Sequence, residues 1–144
     1  MMHTYLPFVP HKEDSAFYLL GESMIEYLTV CLSNDKKSAN VIFKEKMKSS
    51  KRKGYAKTSL FSLSDNGIDA TTQKGSAVVI YEKAPAVIHK FAQKIGGNKK
   101  LLELLSVFYR QVEITGEIDF TAFEKSLKSQ ETSNKQWQWF VKKL

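Results

Sequence analysis

Large apolar residues recur every three or four positions in three separate stretches of this chain. They are Phe17, Leu20, Met24, Tyr27, Leu28 and Cys31 in the first stretch, Ala39, Phe43 and Met47 in the second, and Leu101, Leu105, Phe108 and Val112 in the third. Because an α-helix has about 3.6 residues per turn, this spacing places each set on one helix face, which must be buried against other helices. The pattern predicts a mainly α fold, a compact bundle of five or six helices.

Caps, glycines and a proline predict where these helices begin and end. The signals are Asp14, Gly54, Pro85, Gly96-Gly97, Asn98, Thr121 with Glu124, and Ser133 or Asn134. The expected helices therefore cover 14–32, 37–50, 85–95, 99–112, 121–129 and a last segment from 133 or 134 onward.

Two stretches depart from the helical pattern. Residues 1–13 contain Pro7 and Pro10, which block a helix, and are expected to form an extended arm. Residues 58–82 are expected to form either a short β-hairpin, with Asn66-Gly67 as its turn, or an irregular excursion. The length of 144 residues suits a single domain, 1–144, with enough core to fold alone.

Most of the net charge of +7 comes from one short stretch. Residues 44–57 hold six lysines and one arginine against a single glutamate, a local charge of +6. At about 100° per residue, Lys44, Lys48 and Lys51 lie about 80° to 140° around the helix from Phe43. One flank of this helix can therefore pack while the adjoining flank presents a cationic ridge.

A concentrated cationic ridge favours polyanionic partners. Lysine and arginine neutralise phosphates and release condensed counterions, and Tyr55 can stack on an exposed base. Lys99 and Lys100 form a second basic point at a helix N-terminus, where the helix dipole also attracts anions. The candidate nucleic-acid-binding residues are Lys44, Lys48, Lys51, Arg52, Lys53, Tyr55, Lys57, Lys99 and Lys100. The alternative is a solvated helix face followed by a charged loop.

A helix-turn-helix is a second way in which this chain can meet DNA. Several residues between 88 and 105 match the motif's core and turn positions: Phe91, Ala92, Ile95, Gly96, Leu102 and Leu105. Against it, Gly97 stands where an apolar turn residue is usual, and Leu101, Leu104 and Phe108 make the reading helix apolar.

The residues that catalysis or metal binding needs are scattered. Cys31 is the only cysteine and lies on a buried stripe, and the three histidines, His3, His11 and His89, have no metal-ligand spacing. There is no glycine-rich phosphate loop. We expect no enzyme activity, no cofactor, no metal and no small-molecule substrate.

The chain also shows no signal for export or membrane insertion. One cysteine allows no internal disulfide, which suits a reducing compartment. The N-terminus lacks a secretory signal, and no apolar run approaches the roughly 20 residues that span a bilayer. We expect a cytoplasmic protein without membrane association.

Both tryptophans lie in the last segment, at positions 137 and 139. Because successive residues of a helix point about 100° apart, the aromatic rings of this segment cannot all face one core. We predict that Trp137 and Trp139 include a contact for a partner subunit, since tryptophan is enriched in interface hot spots. The alternative is full burial in the monomer.

A small basic helical bundle without an active site resembles the small subunit of a CRISPR effector complex. The residues that carry the resemblance are Lys44, Lys48, Lys51, Arg52 and Lys53 on the positive face and Trp137 and Trp139 at the aromatic end. The resemblance covers the whole chain as a profile of size, charge and helicity. It implies a subunit that stacks beside others in antiviral defence and holds guide–target duplex or displaced DNA strand by backbone contacts.

The expected function is a non-catalytic accessory subunit that binds DNA or RNA backbone without reading sequence, within a larger ribonucleoprotein. One alternative is a sequence-specific helix-turn-helix regulator that uses residues 88–105. The other is a protein-only adaptor or inhibitor of mobile-element origin, whose cationic ridge meets an acidic protein surface.

Overall fold

The computed structural model describes residues 18–63, 73–116, 120–128 and 133–144. The predicted arm at 1–13 and the Asp14 cap lie outside these ranges. The regular structure within them is helical: α1 (Met24–Ser33), α2 (Lys36–Arg52), α3 (Gln73–Val78), α4 (Ala84–Lys94), α5 (Asn98–Thr115), α6 (Phe120–Lys128) and α7 (Asn134–Lys143). Two π-helical segments, Tyr18–Ser23 and Val79–Lys83, precede α1 and α4, and Leu60–Leu63 is a 3₁₀ turn.

These elements form six helical rods. The first π segment continues into α1, and α3, the second π segment and α4 follow one another without a break from 73 to 94. The predicted bundle of five or six helices is therefore confirmed for the part of the chain that the structure describes.

The β-hairpin that was one option for 58–82 is wrong. Residues 76–81, its expected second arm, are helical, and the described part of the first arm ends in the 3₁₀ turn. A short apolar run suits a buried helix as well as a strand, and here its members are buried: Val78, Val79 and Ile80. The Asn66-Gly67 turn lies outside the described residues.

Glycines follow two helices, and a serine precedes a third, where the sequence predicts. Gly54 follows α2 with φ of 85°, and Gly96 and Gly97 follow α4 with φ of 122° and 107°, a region that favours glycine. Ser133 caps α7 because its Oγ accepts from the Gln136 N–H at 3.2 Å, while Gln136 Oε1 accepts from the Ser133 N–H at 3.0 Å. This is a complete capping box.

Two other predicted caps are wrong. Gly97 occupies the N-cap position of α5, and Asn98 is the first residue of that helix. Helix α6 begins at Phe120, so Thr121 lies within it and does not cap it. In both cases the helix starts earlier than the side-chain pattern indicates, a common difference at helix ends.

Pro85 lies inside a helical rod and does not open it. Proline has no N–H and its ring clashes with the carbonyl four residues earlier, so the Tyr81 carbonyl has no donor at the usual position. The π segment accommodates the proline: the Ala84 N–H donates to the Val79 carbonyl five residues back. Lys46 Nζ, from α2, donates to the Tyr81 oxygen at 2.9 Å.

Helix α4 occupies the centre of the bundle and contacts α1, α2, α5 and α7. Its residues 84–89, 91 and 92 are buried, whereas Lys90, Gln93 and Lys94 are exposed. A helix that is apolar nearly all round belongs in a core. The three exposed residues therefore mark the one side on which α4 meets solvent.

Aromatic packing fixes α7 against this central helix. Phe140 stacks on Phe91, with ring centroids 4.2 Å apart and planes 14° apart, and the Trp137 ring lies edge-on to Phe91 at 6.5 Å. Because Trp137 is only 3 % exposed, its prediction as a partner contact is wrong. Trp139, about 200° further round the helix, is half-buried and lies on a different face.

Candidate nucleic-acid interface

The basic cluster at 44–57 divides into a paired and an unpaired set. Three of its cations form ion pairs within the chain: Lys46 with Glu26 at 3.0 Å, Arg52 with Glu45 at 3.1 Å, and Lys53 with Glu82 at 2.9 Å. Ser49 Oγ also donates to the Glu82 carboxylate, at 3.1 Å. The charges of Arg52 and Lys53 are therefore already balanced, and these two predicted residues do not join the others.

The unpaired set consists of Lys57, in the loop after α2, and of three lysines on α2 itself, Lys44, Lys48 and Lys51. All three are exposed, and none has an ion pair within the described ranges. They project from one side of α2, as the helical spacing predicts, and together with α4 and α7 they border a groove.

The groove consists of two joined cavities, of about 600 and 190 Å³. Helices α2, α4 and α7 and the end of the second π segment supply its cations, which are Lys44, Lys48, Lys51, Lys83, Lys90, Lys94 and Lys143. Among the described residues, no Asp or Glu lines either cavity. We call this site, from Lys44 to Lys143, the lysine groove.

The floor of the larger cavity is largely apolar. Phe43, Met47, Ala86 and Trp139 line it, together with His89. The His89 ring stacks on Phe43, with centroids 4.5 Å and planes 19° apart. A flat aromatic floor between rows of lysines combines two surfaces that nucleic acids use, one for bases and one for phosphates.

Asn98 positions the His89 ring through a hydrogen bond. Asn98 Oδ1 accepts from Tyr27 OH at 2.8 Å, from His89 Nδ1 at 3.1 Å and from Gln93 Nε2 at 3.3 Å. Burial lowers the pKa of His89 below its usual 6.5, against the opposite effect of the Asn98 hydrogen bond. His89 is therefore neutral at pH 7 and contributes a flat ring to the floor.

Lys83 lies at the base of the smaller cavity and is only 4 % exposed. Its Nζ donates to the main-chain oxygens of Thr58 and of Leu144, the latter at 3.0 Å. Burial lowers the pKa of Lys83, and the charge of Lys143 lowers it further. Lys83 thus joins the loop after α2 to the end of α7 and shapes the wall of the cavity.

Trp139 stands where the two cavities meet, and it lines both. Its indole ring is half-buried, and Lys94 Nζ lies 4.6 Å from the ring centroid in a cation–π contact. Trp139, predicted as a protein contact, is therefore placed in the cationic groove.

Tyr55, predicted to stack on a base, is partly covered by the chain itself. It is half-buried and packs on α3, where a Cβ added to Gly75 would lie 2.6 Å from the Tyr55 ring carbon Cε1. The close approach of Gly75 covers part of the ring, and base stacking by Tyr55 stays a prediction. Lys57, two residues on, is exposed but does not line the groove.

Lys99 lies beside a third cavity of about 280 Å³, which also has Lys36 and Asn98 in its lining. This cavity adjoins the lysine groove, because Asn98 bonds to two residues of the groove, His89 and Gln93. Lys100 is half-buried and does not line these cavities.

The arrangement of α4 and α5 leaves few side chains of α5 available to read base edges. Asn98, the amide best placed to meet a base edge, is held by the three hydrogen bonds described above. The face of α5 with Leu101, Leu104 and Phe108 is buried. Sequence-specific recognition by residues 88–105 stays a prediction.

Neither metal ligands nor an activated nucleophile come together in the described residues. They contain no group of three or more His, Cys, Asp or Glu able to hold a metal ion. Cys31 is half-buried, and burial raises the pKa of its thiol, which disfavours the nucleophilic thiolate. No helix within 18–63, 73–116, 120–128 and 133–144 is both long and apolar enough to cross a membrane.

The sequence predicts only one wall of the groove. Lys90 and Lys94 are the lysines of a largely apolar helix, α4, and Lys143 lies beside Lys142 in the last turn of α7, where cations are favourable for structural reasons alone. None of the three belongs to a dense basic run like that at 44–57. The spacing of Lys90 and Lys94, four apart in an otherwise apolar helix, is the one local signal that could have indicated them.

Comparisons of the chain with family models, curated proteins and solved structures found no match.

Proposed function

We propose that this protein is a non-catalytic subunit that binds the sugar–phosphate backbone of nucleic acid in the lysine groove. One observation carries the proposal: seven lysines from separate parts of the chain line one groove, and the described lining contains no Asp or Glu. Like charges repel, so their convergence lowers stability unless an anion occupies the groove. A polyanion is the ligand that this arrangement favours.

The dimensions of the groove suit a strand rather than a single small anion. Lys44 and Lys51 are seven residues apart on α2, about 10 Å along the helix axis. At about 3.4 Å per nucleotide of a helical strand, this wall of the groove alone accommodates about three phosphates. Six of the seven lysines are exposed: Lys44, Lys48, Lys51, Lys90, Lys94 and Lys143.

The proposal includes an assembly, as the resemblance to the small subunit of a CRISPR effector implies. Since Trp137 is buried and Trp139 lies in the groove, a protein neighbour needs another surface. Val107 and Ile114 of α5 are 43 % and 82 % exposed, and a spacing of seven residues puts them on one face. This face is the candidate contact for neighbouring subunits.

Salt dependence of binding tests the groove directly. For a single-stranded oligonucleotide, the slope of log K against log salt is about −0.7 per neutralised phosphate. Six exposed lysines predict a slope of about −4. The K44Q/K48Q/K51Q variant should give about −2 and bind about a hundredfold more weakly at 0.1 M salt, as measured by fluorescence anisotropy with a labelled 20-nucleotide strand.

A variant with the same loss of charge elsewhere provides the control. R110Q/K125Q/K128Q changes α5 and α6, where none of the three lines the groove, and should keep the slope within about one unit of wild type. Equal losses in both variants would mean that net charge, and not the groove, drives binding. No binding to DNA or RNA at low salt would refute the proposal and favour an acidic protein as the partner.

A further inference from the structure

The two cavities of the lysine groove differ in chemistry and share a boundary. Met47, Lys90 and Trp139 line both of them. The larger one has the aromatic and apolar floor, whereas half of the smaller one's lining is lysine: Lys51, Lys83, Lys90 and Lys143. A ligand that spans the boundary therefore needs a flat apolar part joined to an anionic part.

We propose that this boundary is a nucleotide subsite, in which a base stacks on the Trp139 ring and its phosphate enters the four-lysine cavity. The inference rests on the proposed function and makes it more specific. It identifies the ligand class as single-stranded nucleic acid with accessible bases.

The smaller cavity has the donors that a phosphate requires. Lys51 and Lys143 are exposed at its mouth, and Lys83 is buried at its base. An ammonium has three N–H donors, and Lys83 uses two for main-chain oxygens. Among the described residues, the third N–H has no acceptor. A phosphate oxygen is a strong acceptor for it.

The larger cavity has the space and the ring that a base requires. Its volume of about 600 Å³ falls within the range of about 300 to 1,000 Å³ usual for sites of organic ligands. Lys94 lies over the Trp139 ring in the free protein. A base that takes this ring face displaces the Lys94 ammonium, which can then pair with a neighbouring phosphate.

Double-stranded nucleic acid does not fit this subsite. A base in a duplex is covered on both faces by its neighbours, and its ring reaches a tryptophan only after it leaves the stack. Unpaired bases stack on aromatic side chains without that loss. The geometry thus favours a single strand, whereas backbone contacts alone would accept both forms.

Tryptophan fluorescence distinguishes stacking from backbone binding. The probes are a 12-nucleotide oligothymidylate, an abasic 12-mer with the same phosphates, and a 12-base-pair duplex, titrated into the full chain. The oligothymidylate should quench the emission and bind about tenfold more tightly than the abasic strand, since stacking of one base contributes about that factor. Trp137 gives a constant background because it is buried.

Two pairs of variants complete the test. W139L should remove both the quench and the preference over the abasic strand, whereas W139F should retain part of the preference. K143Q should weaken binding several-fold, and K142Q, an exposed neighbour outside the groove lining, should not. Circular dichroism checks that each variant folds.

The outcomes separate the two proposals. If the abasic strand, the duplex and the oligothymidylate bind equally and W139L and W139F behave as wild type, the subsite is wrong and backbone binding stands. If none of the three binds at low salt, both proposals fail.

Discussion

His89 connects the packing of the core to the floor of the groove. It is 8 % exposed, stacks on Phe43 and donates through Nδ1 to Asn98. Protonation would place a positive charge in a site already bordered by Lys44, Lys48 and Lys90. Burial lowers its pKa below 6.5, so the folded chain resists protonation more than the unfolded chain does.

This difference predicts that stability falls as the solution is acidified. Because the folded-state pKa of His89 is lower than 6.5, the unfolded state binds the extra proton first, and stability is lost as pH falls from above 6.5 toward the folded-state pKa. Urea unfolding between pH 7.5 and 5.5 measures the loss. H89F retains a ring to stack on Phe43 and should lose less stability over the same range, whereas equal losses would exclude His89 as the cause.

A buried hydrogen bond joins the two π segments, and another joins the first of them to α5. Ser23 Oγ, from the first segment, donates to the Ile80 oxygen of the second at 2.7 Å, and both residues are buried. Tyr109 OH, from α5, donates to the Leu20 oxygen at 2.7 Å. These bonds join elements that are distant in the chain and fix the rod of α4, which forms one wall of the groove.

Removal of the Ser23 hydroxyl should weaken this junction. S23A leaves the buried Ile80 oxygen without that donor, and we expect a loss of about 1 to 2 kcal/mol in the free energy of unfolding, in line with buried hydrogen bonds. S33A removes a hydroxyl from an exposed residue at the end of α1 and should change stability by less than about 0.5 kcal/mol. Urea denaturation of both variants provides the comparison, and equal values would show that the junction contributes nothing.

At the scale of the whole molecule, the two flanks of α2 differ in what lies beside their lysines. Carboxylates from α1 and the second π segment lie beside one flank of α2, where Glu26 and Glu82 pair with Lys46 and Lys53. The other flank faces the lysines of α4 and α7. One helix thus contributes stabilising ion pairs on one side and an unbalanced field on the other.

The two flanks should respond differently to the loss of two charges. K46Q/K53Q removes the paired lysines and should lower the free energy of unfolding by about 1 kcal/mol, since partly exposed ion pairs contribute about 0.2 to 1 kcal/mol each, while strand affinity stays within about threefold. K44Q/K48Q should leave stability within about 0.5 kcal/mol and weaken strand binding. Thermal unfolding and anisotropy on the same samples measure both quantities. If binding follows the number of lysines irrespective of flank, the division has no functional meaning.

Helical spacing predicted the buried residues well and the functional partners only in part. Most members of the predicted stripes are buried, from Leu20 to Val112, because a helix face is a local property. Cys31 and Met47 are half-buried, and Phe17 lies outside the described residues. Tyr55 was predicted to stack on a base and Trp137 to contact a partner from their residue types and local positions in the chain. Contacts with residues distant in sequence, Gly75 for Tyr55 and Phe91 for Trp137, cover part of the first ring and contribute to the burial of the second.

The sequence by itself determined the helical class, the main helix ends at Gly54, Gly96 and Ser133, and the side of α2 on which Lys44, Lys48 and Lys51 lie, since all of these follow from spacing along one chain segment. Only the tertiary structure decided which lysines are paired, that α4 and α7 supply the facing wall, and that Trp139 lies between the two cavities. These features depend on the packing of elements many residues apart. The charge or aromatic character of a single residue does not predict which distant elements pack against it.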